Sequence, residues 1–533
     1  MSNYYLEGEN RQDAAINAIA VADTLVKMRA ASRDTTVVEG LNAQNIPARN
    51  LTPEEKMLAE AYDNYIKLFP GDPLTPSILA DAGALYYNHR QFDIAKKYYK
   101  TMVTKFPEAQ QKNIGLISLM NSYFFLGQYH DAEIVARKIL EAPDIPEDQV
   151  EIAKQKIGQS IYKNAEKYEQ EELYLEAAKE YLRVYDEAAQ YVTFSDLALF
   201  KSANNFEKAG EWQRAIETYE LLVKDIPESK QVLPALGNIA EDYKELEDYT
   251  NVGKTYEKIY EMFPATEDAE SALFNASLFY AKAENWEAAI RANNRYIQNY
   301  PDKPESKDLL FENANYYLKL GSLSSANKIY RNFAATYPND PRAVEAYYNR
   351  GNYYFEKSKF DSAKHEFNLA INKSEEFART GQDPNLFYAA ESYYRLGEID
   401  YAEYKDIKLS YPESRLRAQL QQKSKKLEEV RNAFTKVIEL GSIRGFEAIY
   451  KIAEAYEEFA DAIANQELPP GLDQQKRLVE QDRVFKASIP AYDQAVEEYK
   501  TAIINIPKLA EKLDVSLTDS LPEVKEPVAE ATE

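Results

Sequence analysis

The chain of 533 residues contains no cysteine. Disulfides, thiolate catalysis and cysteine-based zinc sites are excluded, and the chain suits an oxidising or a reducing compartment equally. Histidine is nearly absent too, with His89, His130 and His365 the only three. They are far apart in sequence, so ordinary surface histidines are expected rather than an acid–base pair. Positive charge is in deficit: 64 Lys and Arg stand against 88 Asp and Glu, for a formal net charge of −24. Nucleic acid and anionic membrane both need clustered cations, so neither is expected as the main partner. The acidity suits a long, solvated, surface-rich rod, or a basic partner. No apolar run reaches the roughly 18 residues of a membrane-spanning helix. Residues 1–30 do not read as a secretory leader, since Asn17 and Asp23 interrupt Ala14–Val26. The protein is then cytoplasmic, or its leader is missing from this chain.

Motifs of reactive chemistry are missing as well. There is no H-E-x-x-H, no EF-hand loop and no nucleophile elbow. Gly253-Lys254-Thr255 imitates the end of a phosphate-binding loop. Asp248 stands where that loop needs glycine, and the surrounding pattern is helical. Acidic pairs such as Glu457-Glu458 read as solvated helix faces. No metal or cofactor is expected, and the chain is read as non-catalytic.

What the chain does have is a repeated sentence. Leu310–Pro338 gives two amphipathic helices with Gly321 between them and Tyr337-Pro338 as a stop. A small residue of the second helix recurs at Ala95, Ala132, Ala177, Ala215, Val252, Ala289, Ala326 and Ala363, mostly 37 residues apart. Four residues later come Tyr99, Ala136, Tyr181, Tyr219, Tyr256, Asn293, Tyr330 and Phe367. Nine residues before lies an aromatic, as at Tyr86, Phe206, Tyr280 and Tyr354. Three before lies a large residue that opens the second helix, and both tryptophans, Trp212 and Trp286, fill this slot. Stops are read at Phe69-Pro70, Phe106-Pro107, Ile226-Pro227, Phe263-Pro264, Tyr300-Pro301, Tyr337-Pro338, Tyr411-Pro412 and Ile506-Pro507. Residues at i, i+3 and i+4 share a helix face, so small residues let two helices approach while aromatics fill the gap beside them.

This pattern resembles the tetratricopeptide repeat (TPR). Gly83-Ala84-Leu85-Tyr86 and Gly351-Asn352-Tyr353-Tyr354 match its G-x-x-Y core, with Ala165, Ala203, Ala240, Ala314 and Ala390 replacing the glycine elsewhere. The resemblance implies an all-α fold, a right-handed superhelical solenoid of helix–turn–helix repeats. The family's usual period is about 34 residues. The longer period here resembles the TPR arrays of bacterial cell-envelope proteins. The wording near the C-terminus, AYEEFADAI, LPPGL and AYDQAVEEY, is similar to large envelope TPR proteins, some linked to gliding motility.

Four segments are expected. Residues 1–70 form an incomplete repeat with an insertion, opened at Thr52-Pro53-Glu54-Glu55 by a capping box. Residues 71–376 form a regular array of eight repeats, 377–512 hold irregular repeats with long insertions, and 513–533 form a disordered acidic tail.

The resemblance also implies a binding groove lined by first helices. Six residues before the slot aromatic stand Ala80, Ile117, Tyr162, Phe200, Gly237, Phe274, Phe311, Tyr348 and Phe387. Four residues on, the same face carries Asn204, Asn315 and Asn352, with Glu166, Glu241 and Glu391 among the others. Aromatics offer apolar area to an extended or helical segment, and asparagine both donates to and accepts from a peptide backbone. The candidate peptide-binding residues are therefore Tyr162, Phe200, Phe274, Phe311, Tyr348, Phe387, Asn204, Asn315 and Asn352. Packing between neighbouring repeats is the competing reading of the same aromatics. The family's two-carboxylate clamp is not matched. Asn204 with Asn238 and Asn315 with Asn349 stand suitably, but Phe200 and Phe311 occupy its first lysine position. Ser271, Asn275, Pro384 and Tyr388 occupy its closing cation positions.

The expected function is a protein–protein interaction scaffold that binds a neutral or basic peptide or protein segment, in a bacterial envelope complex. The expected location becomes periplasmic or envelope-associated if a leader is missing, and cytoplasmic otherwise. The alternatives are a structural spacer or self-assembling rod, or an enzyme with its site in an insertion at 32–51, 399–429 or 464–487. None of those three stretches holds a histidine. Oligomeric state is left open.

Overall fold

The computed structural model describes residues 10–30, 47–142 and 145–513. The expected insertion before residue 47 and the tail after Leu513 lie outside the described residues. Within them the chain forms 22 α-helices and no strand. It divides into two compact units, residues 1–283 and 284–533.

In the first unit α1 (Arg11–Ala30) packs on α2 (Pro53–Leu68). Hairpins follow: α3 (Thr75–Asn88) with α4 (Phe92–Lys105), α5 (Lys112–Phe125) with α6 (Tyr129–Glu141), and α7 (Glu147–Gln170) with α8 (Tyr174–Ala188). Then come α9 (Ser195–Lys208) with α10 (Trp212–Asp225), α11 (Val232–Glu245) with α12 (Tyr249–Met262), and α13 (Asp268–Lys282). The second unit opens with α14 (Trp286–Asn299). It continues with α15 (Pro304–Lys319) on α16 (Leu323–Thr336), α17 (Arg342–Glu356) on α18 (Phe360–Thr380), and α19 (Leu386–Asp406) on α20 (Glu413–Glu439). It closes with α21 (Gly445–Ala464) on α22 (Gln474–Leu513). Within each unit every helix packs against its sequence neighbours, so the apolar interior is a succession of clusters rather than one centre.

The repeat register is a packing register. The second helices begin at Phe92, Tyr129, Tyr174, Trp212, Tyr249, Trp286, Leu323 and Phe360, the eight positions of the large-residue slot. The small residues three positions on are all buried. The slot four further on supplies the buried rings Tyr99, Tyr181, Tyr219, Tyr330 and Phe367. These rings sit over small residues of the first helix. A β-carbon added at Gly83 would lie 2.8 Å from Tyr99 Cε1. Gly253 is a seat of the same kind, its absent β-carbon leaving room for Tyr280 Cδ1 at 2.8 Å. The glycine of the phosphate-loop look-alike is thus a packing glycine inside α12.

The turns inside the hairpins share one geometry. Arg90, Gly127, Glu172, Gly210, Glu247, Glu284, Gly321 and Ser358, all five residues before the small slot, have positive φ between 55° and 75°. The backbone N–H of the next residue donates to the carbonyl of the slot aromatic, as Gln91 to Tyr86 and Glu211 to Phe206 at 2.9 Å each. This is the left-handed cap that satisfies the last carbonyls of a helix. Between hairpins, Phe69, Phe106, Ile226, Phe263, Tyr300 and Tyr337 are each the C-cap before the expected proline. At the first hairpin the expected capping box is present: Glu55 N–H donates to Thr52 Oγ1 (3.2 Å) and Thr52 N–H to Glu55 Oε2 (2.7 Å).

Four expectations need correction. Pro412 does not stop a helix; it is the N-cap of α20. Pro507 does not stop one either, because α22 runs through both Pro490 and Pro507. The carbonyl each ring displaces belongs to an exposed residue, Lys486 or Ile503, where water can take over the lost bond. The stretches 399–429 and 464–487 are also mostly helical, since α19 extends to Asp406, α20 begins at Glu413 and α22 at Gln474. The long arms of α19 and α20 are fastened by buried Lys423. Its Nζ donates to the carbonyls of Tyr404 (3.1 Å) and Ile407 (3.3 Å) and lies 3.5 Å from Glu458 of α21. A small residue under the partner ring persists here, but it is Gly397, where an added β-carbon would lie 2.8 Å from Phe434 Cε1. Ala390, expected in that role, is buried elsewhere on α19.

Candidate peptide-binding surface

The first-helix aromatics begin from a common position, so they meet a common neighbour. Tyr162 lies 5.1 Å from Tyr181, Phe200 5.5 Å from Tyr219, Phe311 5.5 Å from Tyr330 and Tyr348 6.0 Å from Phe367, centroid to centroid. In each case the neighbour is the buried ring of the same hairpin's second helix. The aromatic ladder therefore belongs first to the hairpin interface, and its members differ in how much surface remains.

In the first unit Tyr162, Phe200 and Phe274 are half-buried. Tyr162 also meets Phe194 at 5.0 Å, and the Lys201 ammonium lies 5.8 Å from its centroid. In the second unit Phe311 and Tyr348 are buried, at 3% and 8% exposure, and Phe311 packs on Phe333 at 4.8 Å. Phe387 is 56% exposed and rests edge-on against Tyr388 at 5.0 Å. Of the six aromatics, Phe387 offers a ligand the most area.

The asparagines are already engaged. Asn204 Nδ2 donates to the Phe200 carbonyl in its own helix (3.2 Å). Asn315 Oδ1 accepts from the Tyr330 hydroxyl (3.0 Å), and Asn238 Nδ2 donates to the Tyr219 hydroxyl (2.6 Å). Asn352 stands beside the Tyr348 hydroxyl, and its Oδ1 is buried without a partner. Sequence reasoning treated these amides as free for a peptide. It overlooked that a buried tyrosine hydroxyl in the neighbouring helix needs a polar partner of its own.

Carboxylates that the sequence reading did not single out surround the second unit's exposed aromatics. Glu345 stands half-buried beside Tyr388, and Glu312 one repeat earlier is exposed. Burial raises the Glu345 carboxyl above its ordinary value, and the negative charge of Glu312 adds to this, although the Tyr388 hydrogen bond and Arg342 pull the other way. Arg342 is committed elsewhere, its Nε 2.9 Å from Asp340 and its Nη2 2.8 Å from Asp308. Phe387 touches Tyr388, Tyr388 stands beside Glu345, and Glu345 feels the charge of Glu312, so this chain of neighbours leads from an apolar ring to negative charge, which suits a neutral or cationic segment.

The histidines contribute no cluster: His130 and His365 are exposed, and half-buried His89 has Nε2 3.2 Å from Glu55. Among the described residues no group of three metal-ligating side chains converges, and no helix is long and apolar enough to cross a membrane.

Comparison with known proteins gives the repeat its name. One tetratricopeptide-repeat family model matches residues 311–375, and a second matches 197–229 and 271–303. No curated protein matches the sequence. Among solved structures, YrrB, described as a TPR protein with an unusual peptide-binding site, is 18% identical over 36% of this chain and 91% of its own, with a TM-score of 0.22. The TPR domain of P58(IPK) is 10% identical over 78% of this chain and 99% of its own, with a TM-score of 0.21. The TPR2AB domain of yeast Sti1 in complex with pHSP90 is 19% identical over 56% of this chain and 98% of its own, with a TM-score of 0.24.

Proposed function

We propose that this chain, which carries tetratricopeptide repeats, is a non-catalytic protein–protein interaction scaffold whose first helices hold a neutral or basic segment of another protein. The observation that carries the reading is exposed Phe387 resting on Tyr388, which in turn stands beside the Glu345 carboxylate. A lysine or arginine of the partner would sit against Tyr388 and Glu345 while an apolar neighbour covers Phe387. In the first unit the half-buried edges of Tyr162, Phe200 and Phe274 offer, by themselves, an apolar contact of the same kind on α7, α9 and α13. Phe311 and Tyr348 act from beneath, holding the hairpins that present the surface. Asn204 and Asn315 reach a peptide backbone only by exchanging their present partners, whereas Asn352 Oδ1 has none to exchange.

A peptide array probed with the purified chain tests this. Bound sequences should be enriched in basic and aromatic residues, and Phe387→Ser should weaken them with the melting temperature unchanged. Enrichment of acidic sequences, or binding indifferent to Phe387→Ser, would overturn the reading. We propose a bacterial envelope complex as the setting, on the 37-residue period shared with the arrays the sequence resembles. Recovery of the native protein from the soluble cytosolic fraction alone would contradict that part.

A further inference from the structure

The last helix, α22, uses only part of its apolar surface within the chain. Val484, Ser488, Ala495 and Ala502 are buried, and Ala502 packs on Phe446 and Ile449 of α21. About a quarter turn away runs a second stripe, Leu478, Phe485, Ile489, Val496 and Ile503, with exposures of 61%, 56%, 41%, 49% and 72%. Its spacings of seven, four, seven and seven residues keep it on one face of a helix. From Leu478 to Ile503 it extends about 37 Å at 1.5 Å per residue. Tyr450 of α21, 56% exposed with its ring 5.9 Å from that of Tyr499, widens the surface on one side.

The charges beside the stripe identify what covers it. Asp482, Lys486, Asp493, Glu497 and Lys500 line its other flank. We propose that α22 pairs antiparallel with α22 of a second copy, about a two-fold axis between Pro490 and Ala491. Leu478 then faces the partner's Ile503, Phe485 the partner's Val496, and Ile489 the partner's Tyr492. In an antiparallel two-fold pair each flank meets its own equivalent. Asp482 therefore approaches the partner's Lys500, and Lys486 approaches the partner's Asp493 and the partner's Glu497. The stripe and its flank are complementary to themselves under this one operation. A parallel pair in register would set this charged flank against the partner's opposite flank, where Tyr492 and Tyr499 stand, and so leave its charges without opposite charges to meet.

Sedimentation velocity on the full chain across micromolar concentrations tests the proposal, with an expected mass of twice 61.1 kDa. Val496→Glu, at an exposed position, should keep the helical spectrum and weaken the dimer by about tenfold or more, since it sets a charge against the partner's Phe485. Lys486→Glu should weaken it, and adding Asp493→Lys with Glu497→Lys should restore it. Orientation is read from cysteines placed in a chain that has none. Phe485→Cys with Val496→Cys should oxidise to a dimer, because eleven residues along one helix separate the two thiols by about 16 Å, too far to bridge within a chain. Phe485→Cys alone should stay reduced. A monomer at all concentrations, a dimer indifferent to Val496→Glu, or ready oxidation of the Phe485→Cys single variant would each overturn the proposal.

Discussion

Gly351 of α17 lies so close to Phe367 of α18 that a β-carbon added to it would stand 2.4 Å from the ring's Cε1. The relation explains why a small residue is needed in the first helix and a ring four residues beyond the small slot of the second. The two helices approach at the glycine, and the ring closes the space that the approach leaves.

Gly351→Ala should therefore destabilise the chain, by about 1–3 kcal/mol, as an overpacking substitution that forces ring or backbone to move. Gly237 is the control. It also lies inside a helix, but a β-carbon there meets nothing within 4 Å. Gly237→Ala should stabilise by about 0.5–1 kcal/mol through helix propensity alone. Thermal melts of the two variants should move in opposite directions, and a shared direction would refute the seat.

The left-handed turn position offers a second test. Glu172, Glu247 and Ser358 hold φ of 60°, 56° and 55°, where the β-carbon is crowded. Such a conformation costs an L-residue about 1–2 kcal/mol, while glycine adopts it freely at the expense of a floppier unfolded chain. Each of Glu172→Gly, Glu247→Gly and Ser358→Gly should raise stability by up to about 1 kcal/mol, and Gly321→Ala should lower it by a similar amount. Denaturant midpoints check this. Loss of stability in all three glycine variants would contradict the assigned turn.

Two aspartates should give opposite pH slopes. Burial, reinforced by the charges of Glu207, Glu241 and Glu245, pushes the Asp242 carboxyl up to about 8. Between about pH 4, where the unfolded residue titrates, and about pH 8 the folded chain keeps a proton that the unfolded chain has lost. The contribution of Asp242 thus falls as pH rises through this window. Asp242→Asn should match the wild type near pH 4 and exceed its stability at pH 8. Asp340 runs the other way. Burial alone would raise its carboxyl, but hydrogen bonds from Arg342 and Lys307 hold it well below the usual range. Its contribution is present above about pH 4 and is lost as pH falls below that. Asp340→Asn should cost stability at neutral pH, with the difference shrinking in acid. Stability curves parallel to wild type in both variants would refute the two assignments.

The hairpins were legible because each slot repeats one local requirement. A large residue opens the second helix, a small one marks its contact, and a bulky residue before proline caps its end. The turn position was less legible, since arginine, glutamate and serine share it with glycine at Arg90, Glu172 and Ser358. The C-terminal helices were misread where a single proline was taken as punctuation. Pro412 opens a helix rather than ending one, and α22 runs through Pro490 and Pro507 where the displaced carbonyls belong to exposed residues. The binding surface was the least legible part. Periodicity places Phe200, Phe311 and Tyr348 on one helix face but does not reveal that each rests on a ring of the opposite helix. Nor does it reveal that Asn238 and Asn315 serve the tyrosine hydroxyls beside them. Exposed Phe387 and the carboxylates of Glu345 and Glu312 emerge only when side chains from α15, α17 and α19 stand side by side.

The proposed first-helix surface should select a neutral or basic segment and reject an acidic C-terminus. Calorimetric titration of the full chain with two peptides of equal length tests it most directly. One carries lysine beside an aromatic, and the other ends in consecutive acidic residues and a free carboxylate. The first should bind, weaken as salt screens Glu345 and Glu312, and weaken further in Glu345→Gln. The second should give no measurable heat, because no lysine or arginine stands at Phe200, Phe311, Ser271 or Asn275 to receive its carboxylate. Tight, salt-sensitive binding of the acidic peptide, with none of the basic one, would contradict the account.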